Sequence, residues 1–191
     1  LCNMKKHNFS AGPAILPAVV MQEAAKAVLD FNGIGLSLLE ISHRSADFIK
    51  VMDEAETLVS ELLELPSNYK VLFLSGGASS QFFVTAMNLL PQDGHAAYAD
   101  TGTWSAKAIK EARLFGNVDV IASSKDKGYT YIPKNFAVPS NMSYLHLTSN
   151  NTIYGTQYHE FPSTNIPIVA DMSSDIFSKP LDVSRFGLIY A

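Results

Sequence analysis

The sequence has a single cysteine, Cys2, so no disulfide can form within it and no cysteine cluster can bind a metal. Positive charge is scarce, because 14 lysines and arginines stand against 18 aspartates and glutamates, and a net charge of −4 without a basic stripe argues against a nucleic-acid partner. Apolar runs of membrane-spanning length are missing, as is a secretory signal. We therefore expect a protein of the reducing cytoplasm with no nucleic-acid and no membrane partner.

The composition is that of a globular protein, with 47% hydrophobic and 17% charged residues in a chain of 191, enough for one full domain. Short apolar runs alternate with segments of helical periodicity, which predicts an α/β architecture with a mostly parallel sheet flanked by helices. Predicted strands cover 71–74, 96–99, 118–122, 144–147, 166–170 and 186–190, with a further short strand at 129–132. Predicted helices cover 17–31, 46–65, 79–90 and 105–115.

The stretch 71–90 is the one around which the chain is organised. A strand-like run ends at Ser75, Gly76 and Gly77 interrupt it, and helical spacing begins at Ser79. A strand, a glycine turn and a helix start together expose backbone N–H groups and the positive end of a helix dipole, which suits a phosphate. A plain turn is the commoner meaning of a lone Gly-Gly pair, so the rest of the chain has to favour the phosphate.

Three more polar segments follow predicted strands, at 101–104, 150–152 and 171–174. In a parallel sheet such segments meet at one edge, where α/β proteins bind ligands. They would offer an indole, a hydroxyl and a carboxylate beside the phosphate turn, a set that suits pyridoxal phosphate better than a nucleotide.

Each of these side chains also has an ordinary structural interpretation. Trp104 could be a core residue, Thr152 a loop residue, and Asp171 a cap for the serines that follow it. His43 and Arg44 could be a surface pair, although their place before a helix start makes them candidates for binding an acidic substrate group.

Six segments together resemble the phosphoserine aminotransferase family, in the family's order and across the whole chain. They are NFSAGPA at 8–14, ISHRS at 41–45, FLSGGASSQF at 73–82, TGTWS at 101–105, SNNTIYG at 149–155 and VADMSS at 169–174. The resemblance implies a fold-type I enzyme with a seven-stranded type of sheet and pyridoxal phosphate as cofactor. It implies amino transfer from L-glutamate to 3-phosphohydroxypyruvate in serine biosynthesis, a related step in pyridoxine biosynthesis, and a homodimer with a shared active site.

The same resemblance assigns five residues to the cofactor. Ala78 and Ser79 would bind its phosphate, Trp104 would stack on its ring, Thr152 would bond near its oxygen, and Asp171 would pair with its pyridine nitrogen. Arg44 and His43 would bind the acid groups of the substrate, and no metal is implied.

The chain departs from the family pattern in two ways. Some members have arginine where Ser79 stands, so this chain lacks that cation for binding the phosphate of the substrate. Members also continue beyond the residue matching Ala191 into Gly-Ala-Gln-Lys, whose lysine forms the Schiff base, and into a small C-terminal domain. We therefore expect an N-terminal segment at 1–15 and an incomplete large domain at 16–191, without a catalytic residue and inactive alone.

Other classes remain open. Another fold-type I enzyme, such as an alanine–glyoxylate transaminase or a cysteine desulfurase relative, would share the cofactor. A non-catalytic module would bind phosphate esters at the glycine turn without preferring pyridoxal phosphate. A flavodoxin-like or nucleotide-binding domain would bind flavin or nucleotide and would have no use for Trp104 and Asp171.

Overall fold

A computed structural model describes residues 6–191, so Cys2 lies outside the described residues. The chain divides into two compact units, which are described separately here. The first unit contains the described residues up to Glu64 together with 69–71, and the second contains 65–68 and 72–191.

The first unit is built on two helices, α1 (Ala18–Leu29) and α2 (Ala46–Leu62). Ser45 caps α2, because its hydroxyl accepts a hydrogen bond from the backbone N–H of Phe48 at 3.3 Å. The connection after α1 turns at Asn32 and Gly33, both with positive φ, which agrees with the predicted end of the helix.

The apolar residues of α2 recur at helical spacing, which predicts one buried face, and this prediction is wrong. Neither helix has a fully buried residue, and Leu58 and Leu62 are 49% and 68% exposed, whereas Leu63 just beyond α2 is buried. The helical spacing of the apolar residues is correct, but two helices and their loops offer too little surface within this unit to cover a full stripe.

The second unit contains a parallel sheet of five strands in the order β2-β1-β3-β6-β7. These strands are β1 (His95–Asp100), β2 (Asn117–Ser123), β3 (Leu145–Thr148), β6 (Ile168–Asp171) and β7 (Phe186–Tyr190). A separate two-stranded hairpin joins β4 (Asn150–Asn151) to β5 (Thr156–Gln157), and the helices are α3 (Gly77–Leu89) and α4 (Thr103–Ala112). The predicted α/β architecture with a mostly parallel sheet is confirmed, and the described residues supply five strands of the expected seven-stranded type.

Two predicted strands are wrong. Residues 71–74 form no strand, and Leu72, Phe73 and Leu74 are 73%, 53% and 61% exposed. Their composition suits a strand, but within residues 6–191 no neighbouring strand pairs with them. Residues 129–132 also form no strand, since Tyr129 adopts a positive φ of 63°, which ends any extended run.

Alternation along the strands gives the sheet two distinct faces. We call one the helix face, because α3 and α4 pack against it. Its residues include Tyr98, His146, Asp171 and Tyr190 on the strands and Tyr144 directly before β3. We call the other the apolar face, which loops cover; its strand residues include Ala97, Leu145, Leu147, Ile168 and Phe186.

Candidate active site

The carboxyl ends of β1, β3 and β6 lie side by side because these strands are parallel neighbours. Asp100, Thr148 and Asp171 are the last residues of these strands. The segments that carry Trp104, Thr152 and Asp171 therefore start from one edge of the sheet, as the sequence predicted.

Trp104 lies in the first turn of α4, where a local network fixes the backbone. The Ser105 hydroxyl oxygen accepts the N–H groups of Thr101 at 2.8 Å and Gly102 at 2.9 Å, which secures the start of the helix. The half-buried indole donates its Nε1–H to the hydroxyl of Thr152 at 3.3 Å. The structure thus joins two predicted site residues that are far apart in sequence.

The two loops meet closely at Gly102. Its backbone is extended, with φ near 180°, but a Cβ there would lie 2.9 Å from the side-chain oxygen of Asn151 and 3.0 Å from the ring of Tyr154. A larger residue would clash with these atoms, so this position requires glycine. Thr101 adds a hydroxyl bond to the same Asn151 oxygen at 3.3 Å, so the Trp104 and Thr152 loops hold each other in place.

A cation lies over the Trp104 ring, since the ammonium group of Lys107 is 4.5 Å from the ring centroid. Such a contact is worth about 0.5–1 kcal/mol at an exposed site and favours one orientation of the indole. Together with the Thr152 bond, it restrains the ring before any ligand arrives.

Asp171 ends β6 and is only 5% exposed. Its Oδ1 accepts the N–H of Ser173 at 3.1 Å and the hydroxyl of Ser173 at 2.6 Å, so the capping interpretation is correct for this oxygen. Across residues 6–191, no donor reaches Oδ2. Burial raises the pKa of Asp171, the Ser173 bonds oppose this shift, and the charge of Asp175 adds to it. A cationic partner at Oδ2 would therefore stabilise the carboxylate.

Thr148 is a candidate site residue that sequence reasoning missed. It ends β3 directly opposite Asp171 in the ladder, so both side chains lie on the helix face. Its hydroxyl is buried and finds no hydrogen-bond partner among the described residues. A buried polar atom without a partner calls for an explanation, and its position beside Asp171 makes this one a candidate for a ligand contact.

The glycine turn precedes α3 as predicted. Gly76 and Gly77 have φ of 111° and 67°, and a Cβ on Gly76 would lie 2.5 Å from the Ser80 hydroxyl oxygen, so glycine is needed there. No side chain caps the helix, which leaves its first N–H groups free to bind an anion. Ala78 packs against the same core cluster as Trp104, whereas Ser79 is exposed.

His43 and Arg44 belong to the first unit, whereas the five predicted cofactor residues belong to the second. Both side chains are exposed, and neither makes a hydrogen bond or an ion pair with the rest of the described chain. Their role in binding substrate acid groups stays a prediction.

Within residues 6–191, no group of three or more histidine, cysteine, aspartate and glutamate side chains is arranged to hold a metal ion. No helix in that part of the chain is long and apolar enough to span a bilayer.

Comparison with known families identifies the class. Residues 6–191 match the model of the class-V aminotransferases, and the chain belongs to this family. Within the class, the similarity is to phosphoserine aminotransferases: the protein of that name from Flavobacterium johnsoniae is 61% identical over 189 residues, which is 98% of this chain and 53% of the relative. The chain thus spans about half the length of the curated relatives it matches.

The chain is also similar to solved structures of phosphoserine aminotransferases. A phosphoserine aminotransferase studied for radiation damage of its Schiff base superposes with a TM-score of 0.94 at 48% identity, covering 97% of this chain and 53% of that one. A pyridoxal-phosphate-bound phosphoserine aminotransferase from Trichomonas vaginalis superposes with a TM-score of 0.89 at 30% identity, covering 97% and 53%.

Proposed function

We propose that this chain is part of a pyridoxal-phosphate-dependent phosphoserine transaminase, which transfers the amino group of L-glutamate to 3-phosphohydroxypyruvate. The products are O-phospho-L-serine and 2-oxoglutarate, and the reaction serves serine biosynthesis. The observation that carries the proposal is the buried Asp171 carboxylate, whose Oδ2 lacks a donor at the carboxyl edge of the sheet. The relatives named phosphoserine aminotransferase support the choice of substrates.

The residues present fit pyridoxal phosphate. The free N–H groups at Ala78 and Ser79 suit its phosphate, and the restrained Trp104 indole suits its ring. The Thr152 hydroxyl suits its phenolic oxygen, and Oδ2 of Asp171 suits a protonated ring nitrogen. The partnerless Thr148 hydroxyl opposite Asp171 adds a polar atom that an apolar ligand would leave unpaired.

When bound, pyridoxal phosphate supplies an electron sink for the amino-transfer chemistry. The chain's own residues orient it and keep its ring nitrogen protonated. Asp171 holds a proton on that nitrogen because a buried carboxylate without a cation is unfavourable. Ser173 keeps the carboxylate in place through Oδ1, which leaves Oδ2 for the ring nitrogen. Trp104, fixed by Thr152, shields the ring from water.

The remaining parts of the function go beyond this chain. Arg44 and His43 would bind the acid groups of the substrate in a cytoplasmic homodimer with a shared active site, and two exposed side chains without ion-pair partners among the described residues fit that role. The Schiff-base lysine would lie in the part of the relatives that this chain does not cover, and no catalytic residue is assigned within 1–191. The division into a segment at 1–15 and a large domain at 16–191 belongs to the same proposal.

The test is Asp171→Asn in the full-length protein, with Asp119→Asn on β2 as a control because Asp119 is a half-exposed strand carboxylate that is paired with His95. We expect the Asp171 variant to keep pyridoxal phosphate bound but to lose roughly a hundredfold or more in kcat for phosphohydroxypyruvate, because the ring loses its counter-ion. Near-normal turnover would contradict the proposal. Assays of the wild-type protein with alanine and glyoxylate, or with cysteine, separate it from other fold-type I enzymes.

A further inference from the structure

A buried pair of side chains lies beside Asp171 on the helix face. His146 on β3 is 1% exposed, and its Nε2 is 2.8 Å from the hydroxyl oxygen of Tyr190 on β7. The imidazole also stacks on the ring of Tyr98, with 4.6 Å between centroids and planes inclined by 15°. The proposed chemistry of the site makes no use of His146 or Tyr190.

The strand register places this pair next to the carboxylate. Tyr190 is directly opposite Asp171 in the β6–β7 ladder, and His146 is opposite Val169, two residues before Asp171. Because alternate strand residues share a face, His146, Tyr190 and Asp171 all lie on the helix face. Burial raises the pKa of Tyr190, and the nearby charge of Asp171 raises it further.

The protonation of His146 follows from its surroundings. Burial lowers the pKa of His146 to about 3, so the imidazole is neutral at neutral pH and carries one ring proton. Its Nδ1 is buried and has no partner among the described residues. A buried N–H without an acceptor is rarer and costlier than a ring nitrogen without a donor, so the proton belongs on Nε2. His146 then donates to the Tyr190 oxygen.

This assignment decides where the hydrogen of Tyr190 points. Since the Tyr190 oxygen accepts from His146, its own O–H hydrogen is not needed for that bond. Tyr190 stands directly opposite Asp171 in the β6–β7 ladder, and the charge of this carboxylate acts on Tyr190, whereas Oδ1 of Asp171 is already used by Ser173. The O–H dipole therefore orients toward Asp171 and favours its ionised form.

We propose that His146 and Tyr190 are positioning residues: the Nε2–H of His146 orients the Tyr190 hydroxyl toward Asp171, which keeps the carboxylate ionised for the ring nitrogen of the cofactor. This inference rests on the proposed function. Neither residue takes part in proton transfer, and the effect on the cofactor acts only through Asp171.

The experiment compares two ligands on the full-length apoprotein by calorimetry: pyridoxal phosphate and its 1-deaza analogue, in which C–H replaces the ring nitrogen. We expect the wild-type protein to prefer pyridoxal phosphate. Tyr190→Phe removes one oxygen atom and should reduce that preference by roughly tenfold, the size of one modest polar interaction. His146→Leu should do the same, whereas His146→Gln, which keeps an N–H donor near the Nε2 position, should restore most of it.

The matched control is Tyr98→Phe, which deletes an equally buried hydroxyl bonded to the Tyr144 hydroxyl at 2.9 Å but keeps the ring that stacks on His146. It should leave the preference unchanged. Equal weakening of both ligands in Tyr190→Phe would overturn the positioning role, as would loss of the preference in His146→Gln to the level of His146→Leu. If His146→Leu does not fold, Tyr190→Phe alone decides. A wild-type protein without any preference would instead reject the pairing of Asp171 with the ring nitrogen, and with it the proposed function.

Discussion

The two faces of the same sheet are built from alternate residues of the same strands, yet they differ in chemistry. On β3, Leu145 and Leu147 enter the apolar face, and His146 and Thr148 enter the helix face. The apolar face packs carbon against carbon. The helix face buries an imidazole, three phenols and a carboxylate, and most of these groups bond one another.

This difference shows how one sheet serves both stability and a ligand site. Apolar burial needs volume and shape but no particular partner, so it secures the strands. Buried polar groups add specificity only where each finds a hydrogen-bond partner. In a ligand site, one buried polar group has no such partner in the protein and bonds the ligand instead. Under the proposed function, Asp171 and Thr148 are the residues that leave a position for the ligand, at the edge of the helix face.

The largest effect is expected on the apolar face. Leu147→Ala removes a fully buried side chain and should lower the free energy of unfolding by about 2–5 kcal/mol, since the cavity cannot close fully. Urea unfolding of the chain measures this. The preference for pyridoxal phosphate over its deaza analogue should be unaffected in the full-length protein. A changed preference would mean that the two faces are not independent.

The next effect is a pH dependence that belongs to the helix face. The unfolded chain protonates His146 near pH 6.5, whereas burial in the folded chain delays this until about pH 3. The unfolded state binds more protons in that window, so stability is lost as the pH falls from about 6.5 to about 3, by up to about 1.4 kcal/mol per pH unit.

In His146→Gln this loss should flatten, whereas the exposed His159→Gln should behave as wild type. Urea unfolding between pH 7 and pH 4 provides the measurement. Parallel slopes in wild type and His146→Gln would show that the imidazole is not buried in its neutral form.

A smaller effect sets stability against ligand binding at Asp171. Burial raises the pKa of Asp171. In the apoprotein, the free energy of unfolding therefore decreases as the pH rises above about 3.8 and through the raised pKa, because the folded state binds more protons than the unfolded state in that range. Asp171→Asn removes this cost and keeps an oxygen for Ser173, so the apoprotein should gain about 1 kcal/mol at pH 7. Thermal unfolding without cofactor tests this, and a destabilised variant would contradict it.

The smallest effect concerns Tyr158, whose phenol ring packs beside the apolar face. The hydroxyl of Tyr158 is buried and finds no partner in the described part of the chain, and burial raises its pKa. Tyr158→Phe should therefore be neutral or stabilise by up to about 1 kcal/mol. Tyr98→Phe on the helix face should instead destabilise by about 1 kcal/mol, because it leaves the Tyr144 hydroxyl without its partner. Urea midpoints of the two variants give the comparison, and a destabilised Tyr158→Phe would reveal a bond to that hydroxyl.

The sequence predicted the parallel sheet well because buried strands have short apolar runs bounded by turn residues. The β7 prediction, 186–190, agrees with the structure at both ends. The prediction failed at 71–74, where strand composition is present but a pairing strand is not. It also failed for the stripe of α2, since periodicity tells which side of a helix is apolar but not what covers it.

Part of the candidate site could also be predicted from the sequence. In the sequence, Trp104, Thr152 and Asp171 stand in polar segments after predicted strands, so their meeting at one edge could be predicted. His146 and Tyr190 lie inside apolar runs, where a lone polar residue gives no signal. Their relation to Asp171 depends on the register of three strands from distant parts of the chain, which no local pattern contains.

The order of the strands also affects how the chain is made. β1 can pair with β2 soon after both leave the ribosome, but its other neighbour, β3, is synthesised only after a long broken segment, and β6 follows later still. One edge of β1 stays open during this interval, with unpaired backbone groups that invite association with other nascent chains. The strand order that gathers the loops at one edge therefore prolongs the period in which the growing chain exposes an unpaired strand.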